Sequence, residues 1–369
     1  MAIFFWGVNA YPHLVRKKIF SKTAKKYLTL PKQNKIQYQM KAIQITKPGL
    51  AEIVNLDKPA LKPGEVLLKL GYVGFCGSDL NTFRGGNAMV TFPRIPGHEI
   101  GATIVETADG VPPQLKAGQV VTVNPYTNCG CCASCRRGRV NACENNETLG
   151  VQRNGAMQEY IALPWQKVIP CGEVSLRDAA LIEPMSVGFH AVDRGRVTDT
   201  DTVMVIGCGM VGLGAVVRAV MRGATVIAAD LDDEKLALAR TLGAKFTYNT
   251  ATEWNLPAPD VVIEAVGAAP TYQLAVNKVA FTGRIVCIGY AKADIALTTS
   301  LFVKKELDIM GSRNANPSDF EAVIKYLTNS GAPVEKFISR IIEPNQADEA
   351  LKTWSDAPGK VFRILVKWE

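Results

Sequence analysis

The feature that most constrains the fold is a glycine-rich turn between two short apolar runs. The first run, residues 202–207, leads into Gly207-x-Gly209-x-x-Gly212, and the second, residues 224–230, ends in an acid. Apolar runs of this length are typical of buried parallel strands, and the segment between them has the length and composition of a helix. In this context the three glycines permit a tight turn and close approach of the backbone to a pyrophosphate. The sequence therefore predicts a dinucleotide-binding βαβ unit.

The acid that ends the second run favours NAD as the dinucleotide. Asp230 follows Gly212 by 18 residues, where a carboxylate accepts hydrogen bonds from the adenosine ribose diol and repels a 2′-phosphate. The residues predicted to contact the cofactor are Gly207, Gly209, Met210, Val211, Gly212, Asp230 and Val266.

The alternation of strands and helices continues downstream of this unit. Further strands are predicted over 260–266, 283–289 and 307–311, with a helix capped by Ser318 and Glu321 after them. This order indicates an α/β doubly wound parallel sheet. Residues 40–184 instead contain short apolar runs broken by Pro and Gly, which predicts an antiparallel, barrel-like β domain, to which a final strand over 360–367 returns.

Four cysteines on one short loop indicate a structural zinc site. Cys129, Cys132, Cys135 and Cys143 have the spacing C-x2-C-x2-C-x7-C, and four thiolates close a tetrahedron around zinc with no position left for substrate. Disulfides are the alternative, but a chain of this length does not need them to fold. Cys131 is an extra thiol that could replace Cys132 in the ligand set.

A second set of donors indicates a catalytic metal. His98 and Glu99 follow a Pro-Gly turn, with Cys76 upstream and Glu183 downstream. An imidazole, a thiolate and a carboxylate are the ligands of a zinc ion that keeps its fourth coordination position open. We expect His190, the other histidine beyond residue 39, to be a hydrogen-bonded packing residue.

The charge distribution argues against nucleic acid or membrane as a partner. Residues 1–39 hold eight of the 42 Lys and Arg residues and no acid, so the remaining basic residues balance the 34 acidic ones. A zinc-ribbon nucleic-acid binder would need basic residues throughout the folded part. We expect the segment 1–39 to lie outside the fold, as sequence upstream of a start at Met40. An arm of other function and a targeting peptide are the alternatives.

Over residues 40–369 the chain resembles the zinc-dependent medium-chain dehydrogenase/reductase family. The matching segments are 74–79, 97–99, the cysteine loop, 149–160, 182–184 and the glycine-rich turn. The resemblance implies a GroES-like catalytic domain over 40–184 and 322–369 and a Rossmann NAD-binding domain over 185–321. Ile182-Glu183-Pro184 is similar to the sorbitol and polyol branch, and residues 303–314 are similar to L-galactonate and L-gulonate dehydrogenases.

The family implies roles for the donor residues. Cys76 and His98 would hold the catalytic zinc, and either Glu99 or Glu183 would complete the ligand set. Ser78 matches the hydroxyl that relays the alcohol proton outward. Many relatives have a histidine at the end of this relay, where this chain has Asn81, an amide that does not titrate.

The resemblance implies an NAD-dependent zinc dehydrogenase, which we expect to be a cytoplasmic homodimer or homotetramer. Its expected substrate is a secondary alcohol of a polyol or a sugar acid. Arg313 and Asn314 are the candidate substrate contacts, since a guanidinium binds a carboxylate with two parallel hydrogen bonds. The alternatives are an L-threonine-type dehydrogenase and a polyol-phosphate dehydrogenase in which Lys304 and Lys305 face the phosphate. A protein that binds NAD without catalysis is disfavoured by the intact donor set.

Overall fold

The computed structural model describes residues 39–291, 293–329 and 331–368. The predictions for the N-terminal extension therefore fall almost entirely outside the described residues. The exception is Gln39, which is the first residue of the first described strand and lies one residue before the predicted boundary at Met40.

The apolar runs predict individual strands of the parallel sheet and the C-terminal strand only, and the structure gives the bounds of all strands in the described residues. In chain order they are β1 (Gln39–Lys47), β2 (Leu50–Asp57), β3 (Glu65–Phe75), β4 (Glu99–Thr107), β5 (Val120–Val123), β6 (Tyr160–Pro164), β7 (Val168–Pro170), β8 (Thr202–Ile206), β9 (Thr225–Asp230), β10 (Phe246–Asn249), β11 (Val261–Glu264), β12 (Arg284–Cys287), β13 (Asp308–Gly311), β14 (Arg340–Ile342) and β15 (Ile364–Lys367).

The longer helices begin at residue 182 or later, and four of the helices connect successive parallel strands. In chain order the helices are α1 (Gly77–Phe83), α2 (Ala133–Arg136), α3 (Ile182–Arg194), α4 (Met210–Met221), α5 (Asp233–Thr241), α6 (Ala269–Lys278), α7 (Ser300–Lys305), α8 (Pro317–Asn329) and α9 (Ala347–Asp356).

The predicted doubly wound sheet is confirmed. Six parallel strands have the order β10-β9-β8-β11-β12-β13, in which the chain reverses direction across the sheet after β10. Side chains of each strand alternate between its two faces. Val203 and Val205 of β8 pack in the hydrophobic cluster that contains α3 and α4, whereas Met204 and Ile206 pack in the cluster that contains α6. Helices therefore cover both faces, and the carboxyl ends of the strands meet at one edge.

Helices α3 and α4 approach each other closely because glycines face each other at their contact. A Cβ on Gly188 would lie 2.2 Å from the carbonyl oxygen of Val211, and a Cβ on Gly214 would lie 2.7 Å from that of Met185. The first turn of α3 carries Glu183, and the first turn of α4 follows the glycine-rich turn. The glycine contact therefore sets the separation of two predicted site segments.

The first half of the chain, joined by the last two strands, forms the predicted β structure, in which every strand pair is antiparallel except β14 with β15. Seven strands belong to one sheet, with the order β14-β15-β3-β4-β5-β7 and β6 paired to β3, and β1 and β2 form a separate antiparallel pair. The last strand, β15, pairs antiparallel with β3, so the C-terminal segment returns to this half as predicted. The predicted division after residue 321 falls within α8. The residue boundaries of the two domains stay a prediction.

The predicted capping box of α8 is wrong. The helix begins at Pro317, one residue before Ser318, because proline has the fixed φ that suits the first helical position. The carboxylate of Asp319 accepts a hydrogen bond of 2.7 Å from the backbone N–H of Asn316. Asp319 therefore makes the capping-box hydrogen bond that was predicted for Glu321.

The predicted strands are all somewhat shorter in the structure, and three of them lose more than one residue. β11 ends at Glu264 and β12 ends at Cys287, each two residues before its predicted end. After each of these strands the chain enters a turn that contains glycine. β15 begins at Ile364 because residues Pro358–Lys360 form a 3-10 turn.

Candidate active site

Three of the four residues predicted as donors to the catalytic metal lie together. One donor atom each from Cys76, His98 and Glu99 lies within 4.8 Å of the others. Cys76 precedes α1, and His98 and Glu99 stand at the start of β4. The register pairs Glu99 with Gly74 of β3, and a Cβ on Gly74 would lie 2.2 Å from Oε2 of Glu99. A glycine is thus required at position 74, because the carboxylate of Glu99 lies over β3 at this residue.

The donor atoms have the environment of metal ligands. Nδ1 of His98 and Oε1 of Glu99 are buried and have no hydrogen-bond partner among the described residues. Buried polar atoms in proteins are otherwise almost always paired. Donor atoms of the zinc-preferred types that converge without partners fit a bound cation at this position.

Electrostatics favour a thiolate at Cys76. Burial raises the pKa of this thiol, but the charges of His98 and Arg363 outweigh it and lower the pKa below its usual range. Burial lowers the pKa of His98, and the neighbouring Cys76 raises it well above its usual range. The thiolate is the form of cysteine that binds metals.

Glu183 lies in the same pocket but outside this donor cluster. The phenolic hydroxyl of buried Tyr126 donates a short hydrogen bond to Oε1 of Glu183. The structure thus brings Glu99 together with Cys76 and His98, and it pairs Glu183 with a residue that the sequence analysis did not single out.

Arg363 is a second residue missed by the sequence analysis. The residue is 4% exposed, with Nε 3.0 Å from Oε2 of Glu99 and a terminal nitrogen 2.7 Å from the carbonyl oxygen of Phe75. Buried arginines are rare unless they are paired. The sequence offers no signal for this pair, since Arg363 follows an ordinary Lys-Val-Phe run more than two hundred residues after Glu99.

The predicted proton relay begins with buried groups. The hydroxyl of Ser78 and the side-chain oxygen of Asn81 are buried without hydrogen-bond partners among the described residues. Ser78 lines the pocket that holds the donor cluster, and Ser78 and Asn81 both line an adjoining cavity of about 510 Å³. Val266 of the predicted cofactor set lines that second cavity and is 49% exposed.

The pocket above the donor cluster has a volume of about 300 Å³. The predicted site residues that line it are Cys76, Ser78, His98, Glu99, Glu183, Val211, Arg313 and Asn314. Other lining residues were not predicted: Met89, Tyr126, Asn146, Thr148, Val151, Gln152, Pro184, Val187, Ile288, Tyr290 and Ser312. The pocket therefore lies between the antiparallel half and the carboxyl edge of the parallel sheet, where open α/β sheets bind ligands.

The glycine-rich turn has the predicted geometry. Gly207 has a φ of +92°, and Gly209 caps α4, which begins at Met210. A Cβ on Gly212 would lie 1.8 Å from the carbonyl oxygen of Gly207, so the packing of helix on strand requires glycine there. Asp230 stands at the end of β9, and its carboxylate accepts a 2.7 Å hydrogen bond from the backbone N–H of Cys208.

The cysteine loop forms the second predicted cluster. One sulfur atom each from Cys129, Cys132, Cys135 and Cys143 lies within 4.8 Å of the others. Cys131 is exposed and lies outside this group, so the structure favours Cys132 in the ligand set. Backbone N–H groups donate to the sulfurs of Cys129 and Cys143 at 3.4 and 3.3 Å. Four such sulfurs fit a structural zinc ion.

His190 is a packing residue, as predicted. It is buried, and both ring nitrogens have hydrogen-bond partners, Asp319 and Asn141. Among the described residues it belongs to neither donor cluster. Arg313 lines the pocket, and one of its terminal nitrogens donates to the carbonyl oxygen of Cys143 at 3.1 Å.

Comparison with known proteins agrees with this architecture. Residues 62–173 match the Alcohol dehydrogenase GroES-like domain, and residues 211–329 match the Zinc-binding dehydrogenase family. The chain is 31% identical to the sorbitol dehydrogenase of Bacillus subtilis strain 168, over 90% of this chain and 98% of that protein. The chain belongs to the zinc-dependent medium-chain dehydrogenase/reductase family. The resemblance inferred from the sequence is thereby confirmed, and so is the assignment as an enzyme.

Two further relatives are informative. The L-galactonate-5-dehydrogenase of Escherichia coli K12 is 34% identical over 74% of this chain and 83% of its own length. A crystal structure described as a short chain alcohol dehydrogenase from E. coli CFT073, complexed with NADH, superposes with a TM-score of 0.82. It is 29% identical to this chain and covers 89% of it and 99% of its own length.

The helices of the structure were compared with the length and composition that a membrane-spanning helix needs. Of the helices in the described residues, none combines the length and the apolar composition needed to cross a membrane.

Proposed function

We propose that this dehydrogenase transfers hydride from a secondary alcohol of a polyol or a sugar acid, of the L-galactonate or L-gulonate type, to NAD. The observation that carries the proposal is the pocket itself. The donor cluster of Cys76, His98 and Glu99 opens into it, and Val211 of the dinucleotide turn lines its other side. An alcohol that reached the metal donors would therefore lie beside the nicotinamide end of a bound dinucleotide.

We assign Cys76, His98 and Glu99 as the ligands of the catalytic zinc. Zinc bound there supplies a Lewis acid that lowers the pKa of an alcohol hydroxyl. Ser78 is positioned to accept the alcohol proton with its unpaired buried hydroxyl. Tyr126 holds the carboxylate of Glu183, which supports a role for Glu183 beside the metal rather than on it. Because Asn81 does not titrate, the proton leaves through water or another group.

NAD is the proposed cofactor because of Asp230. Its carboxylate is fixed at the carboxyl end of β9 by the N–H groups of Cys208 and Leu231, at 2.7 and 2.8 Å. A carboxylate held in this way repels the 2′-phosphate of NADP.

The lining of the pocket supports a polyhydroxylated substrate. It contains hydroxyl and amide side chains, including those of Asn146, Thr148 and Gln152, and Arg313 is the only Lys or Arg among its described lining residues. The relatives named for sorbitol and L-galactonate act on substrates of this class. A phosphate site at Lys305 is not supported, because its ammonium group donates to the carbonyl oxygens of Asn277 and Val279 at 2.8 and 2.7 Å.

Steady-state kinetics with paired substrates test this proposal. The parent enzyme should reduce NAD with L-galactonate or L-gulonate. Arg313→Ala should lower kcat/KM for these acids by about ten- to a hundredfold, since a charge-assisted hydrogen bond contributes about 1.5–3 kcal/mol. Sorbitol, which lacks the carboxylate, should be affected little, and Arg313→Lys should restore activity only in part.

Arg340→Ala is the matched control, because Arg340 is exposed on β14 and does not line the pocket. It should leave both substrates unaffected. Equal losses for sorbitol and the acids in Arg313→Ala would contradict a sugar-acid substrate, and no turnover of any polyol or aldonate would contradict the proposed class.

We further propose that the enzyme is a cytoplasmic homodimer or homotetramer. β13 is an edge strand of the parallel sheet, and Ile309 on it and Val303 before it are 41% and 84% exposed. Exposed edges that carry apolar side chains pair readily with another chain. Light scattering during size-exclusion chromatography would distinguish these assemblies from a monomer.

A further inference from the structure

A buried polar network joins the cysteine loop to the turn that carries Arg313 and Asn314. Its centre is Asn141, which lies in the 3-10 turn Val140–Ala142 inside the loop and is 2% exposed. The amide nitrogen of Asn141 lies 2.8 Å from the carbonyl oxygen of Arg313 and 2.9 Å from Nε2 of His190. One side chain therefore contacts both the turn after β13 and the middle of α3.

The direction of each hydrogen bond follows from the partners. A carbonyl oxygen only accepts, so the amide nitrogen of Asn141 donates to Arg313, and the same nitrogen donates its second hydrogen to Nε2 of His190. Nδ1 of His190 then donates to Oδ2 of Asp319 at 3.0 Å. Asp319 also accepts from the backbone of Asn316 at 2.7 Å, at the other end of the turn.

Two further bonds run from the turn back to the cysteine loop. The side-chain amide of Asn314 donates to the carbonyl oxygen of Asn141 at 2.9 Å, and the guanidinium of Arg313 donates to that of Cys143 at 3.1 Å. Asn314 has a φ of +55°, a left-handed conformation that costs free energy in residues other than glycine. The bonds to the loop hold the turn in this conformation.

We infer that the cysteine loop positions the Arg313–Asn314 turn through Asn141 and thereby sets substrate affinity, beyond any part the loop has in stability. The inference relies on the proposed function only in assigning Arg313 and Asn314 to the substrate. Asn141 itself does not line the pocket, so it is a positioning residue. Without its amide, the carbonyl oxygen of Arg313 and Nε2 of His190 would be buried and unpaired, which favours a displaced turn.

The test is Asn141→Leu, which retains the approximate volume of the side chain and removes both donors. Ser312 and Asn316 have hydrogen-bonded backbone N–H groups at the two ends of the turn. Hydrogen exchange measured by mass spectrometry should accelerate about five- to a hundredfold in residues 312–316, as expected for two lost hydrogen bonds. KM for L-galactonate should rise by a similar factor with a smaller change in kcat, and KM for sorbitol, which has no carboxylate for Arg313 to bind, should rise less.

Two measurements separate positioning from a general loss of structure. Metal analysis should still find the zinc content of the parent, and the fluorescence of bound NADH should give an unchanged dissociation constant. Asn128→Leu is the matched control, since Asn128 is an exposed asparagine at the start of the same loop. The side chain of Asn128 accepts a hydrogen bond from Lys167 and, among the described residues, forms none with the Arg313–Asn314 turn. The control variant should leave exchange in residues 312–316 and KM unchanged.

Unchanged exchange and unchanged KM in Asn141→Leu would overturn the inference. Reduced zinc content or weaker NADH binding in proportion to the rise in KM would also overturn it, by showing a general effect. If Asn141→Leu does not fold, Asn141→Ser, which keeps one donor, should show smaller changes in the same two quantities. If the parent oxidises neither alcohol, the proposed function fails, while the exchange experiment still tests the role of Asn141.

Discussion

Gly188→Ala probes the contact between α3 and α4, on which the separation of the metal site and the dinucleotide turn depends. The added Cβ would lie 2.2 Å from the carbonyl oxygen of Val211 and 2.5 Å from the backbone nitrogen of Ala215. Both are backbone atoms, so no side-chain rotation relieves the overlap. The helices must separate by about 1 Å to reach an ordinary van der Waals distance.

The expected cost follows from this displacement. Overpacking of a core contact destabilises by about 1–3 kcal/mol, which for a chain of this length corresponds to a fall in Tm of about 2–5 °C. The first turn of α4 follows the glycines that we propose to contact the phosphates of the dinucleotide, so its displacement should also weaken NADH binding. A misplacement of about 1 Å lowers kcat/KM by up to about a hundredfold.

Differential scanning fluorimetry and NADH fluorescence titration would measure the two effects. Gly359→Ala is the matched control, because a Cβ there has no atom within 4 Å. It should leave Tm and the NADH dissociation constant unchanged. If Gly188→Ala behaves like Gly359→Ala in both assays, the close contact does not determine the position of the dinucleotide turn, and the reasoning fails.

Three further predictions concern the cysteine loop, the cofactor and the N-terminal segment. Metal analysis should find two zinc ions per chain in Cys131→Ser and one in Cys132→Ser. The opposite result would show that Cys131, and not Cys132, is the zinc ligand. Asp230→Gly combined with Leu231→Arg should shift the ratio of kcat/KM from NAD toward NADP; a parent enzyme that already prefers NADP would contradict the role given to Asp230. Deletion of residues 1–37 should leave kcat unchanged, because the predicted site residues all lie downstream. A folded but inactive product would show that this segment contributes to the active site.

The sequence predicted the parallel half of the fold well because its signals are local. Gly207, Gly209 and Gly212 stand where the turn after β8 requires them. Asp232, of a residue type that favours the N-cap position, caps α5 by accepting from two backbone N–H groups. Errors fell at element ends. Pro317 begins α8 one residue before the predicted cap, and residues 358–360 shorten β15. Ends depend on single residues, whereas the existence of an element depends on the whole apolar pattern.

The antiparallel half could be predicted only as a class. Its strands are irregularly spaced, and β15 pairs with β3 across most of the chain. No periodic pattern in either strand indicates this partner. Which residues of the half lie next to each other, such as Gly74 opposite Glu99, therefore follows from strand register, which the sequence did not show.

The sequence by itself determined the cysteine loop and the dinucleotide turn as candidate sites, because metal ligation and phosphate binding require particular residue types at short, fixed spacings. For the second metal it named four candidate donors, Cys76, His98, Glu99 and Glu183, and left the choice between the two carboxylates open. Only the tertiary structure grouped Glu99 with Cys76 and His98, separated Cys131 from the cysteine cluster, and paired Glu183 with Tyr126, 57 residues away. It also joined Asn141 to Arg313, 172 residues away. Contacts between such distant residues arise from the packing of whole elements, and they leave no mark in the local pattern from which a single sequence is interpreted.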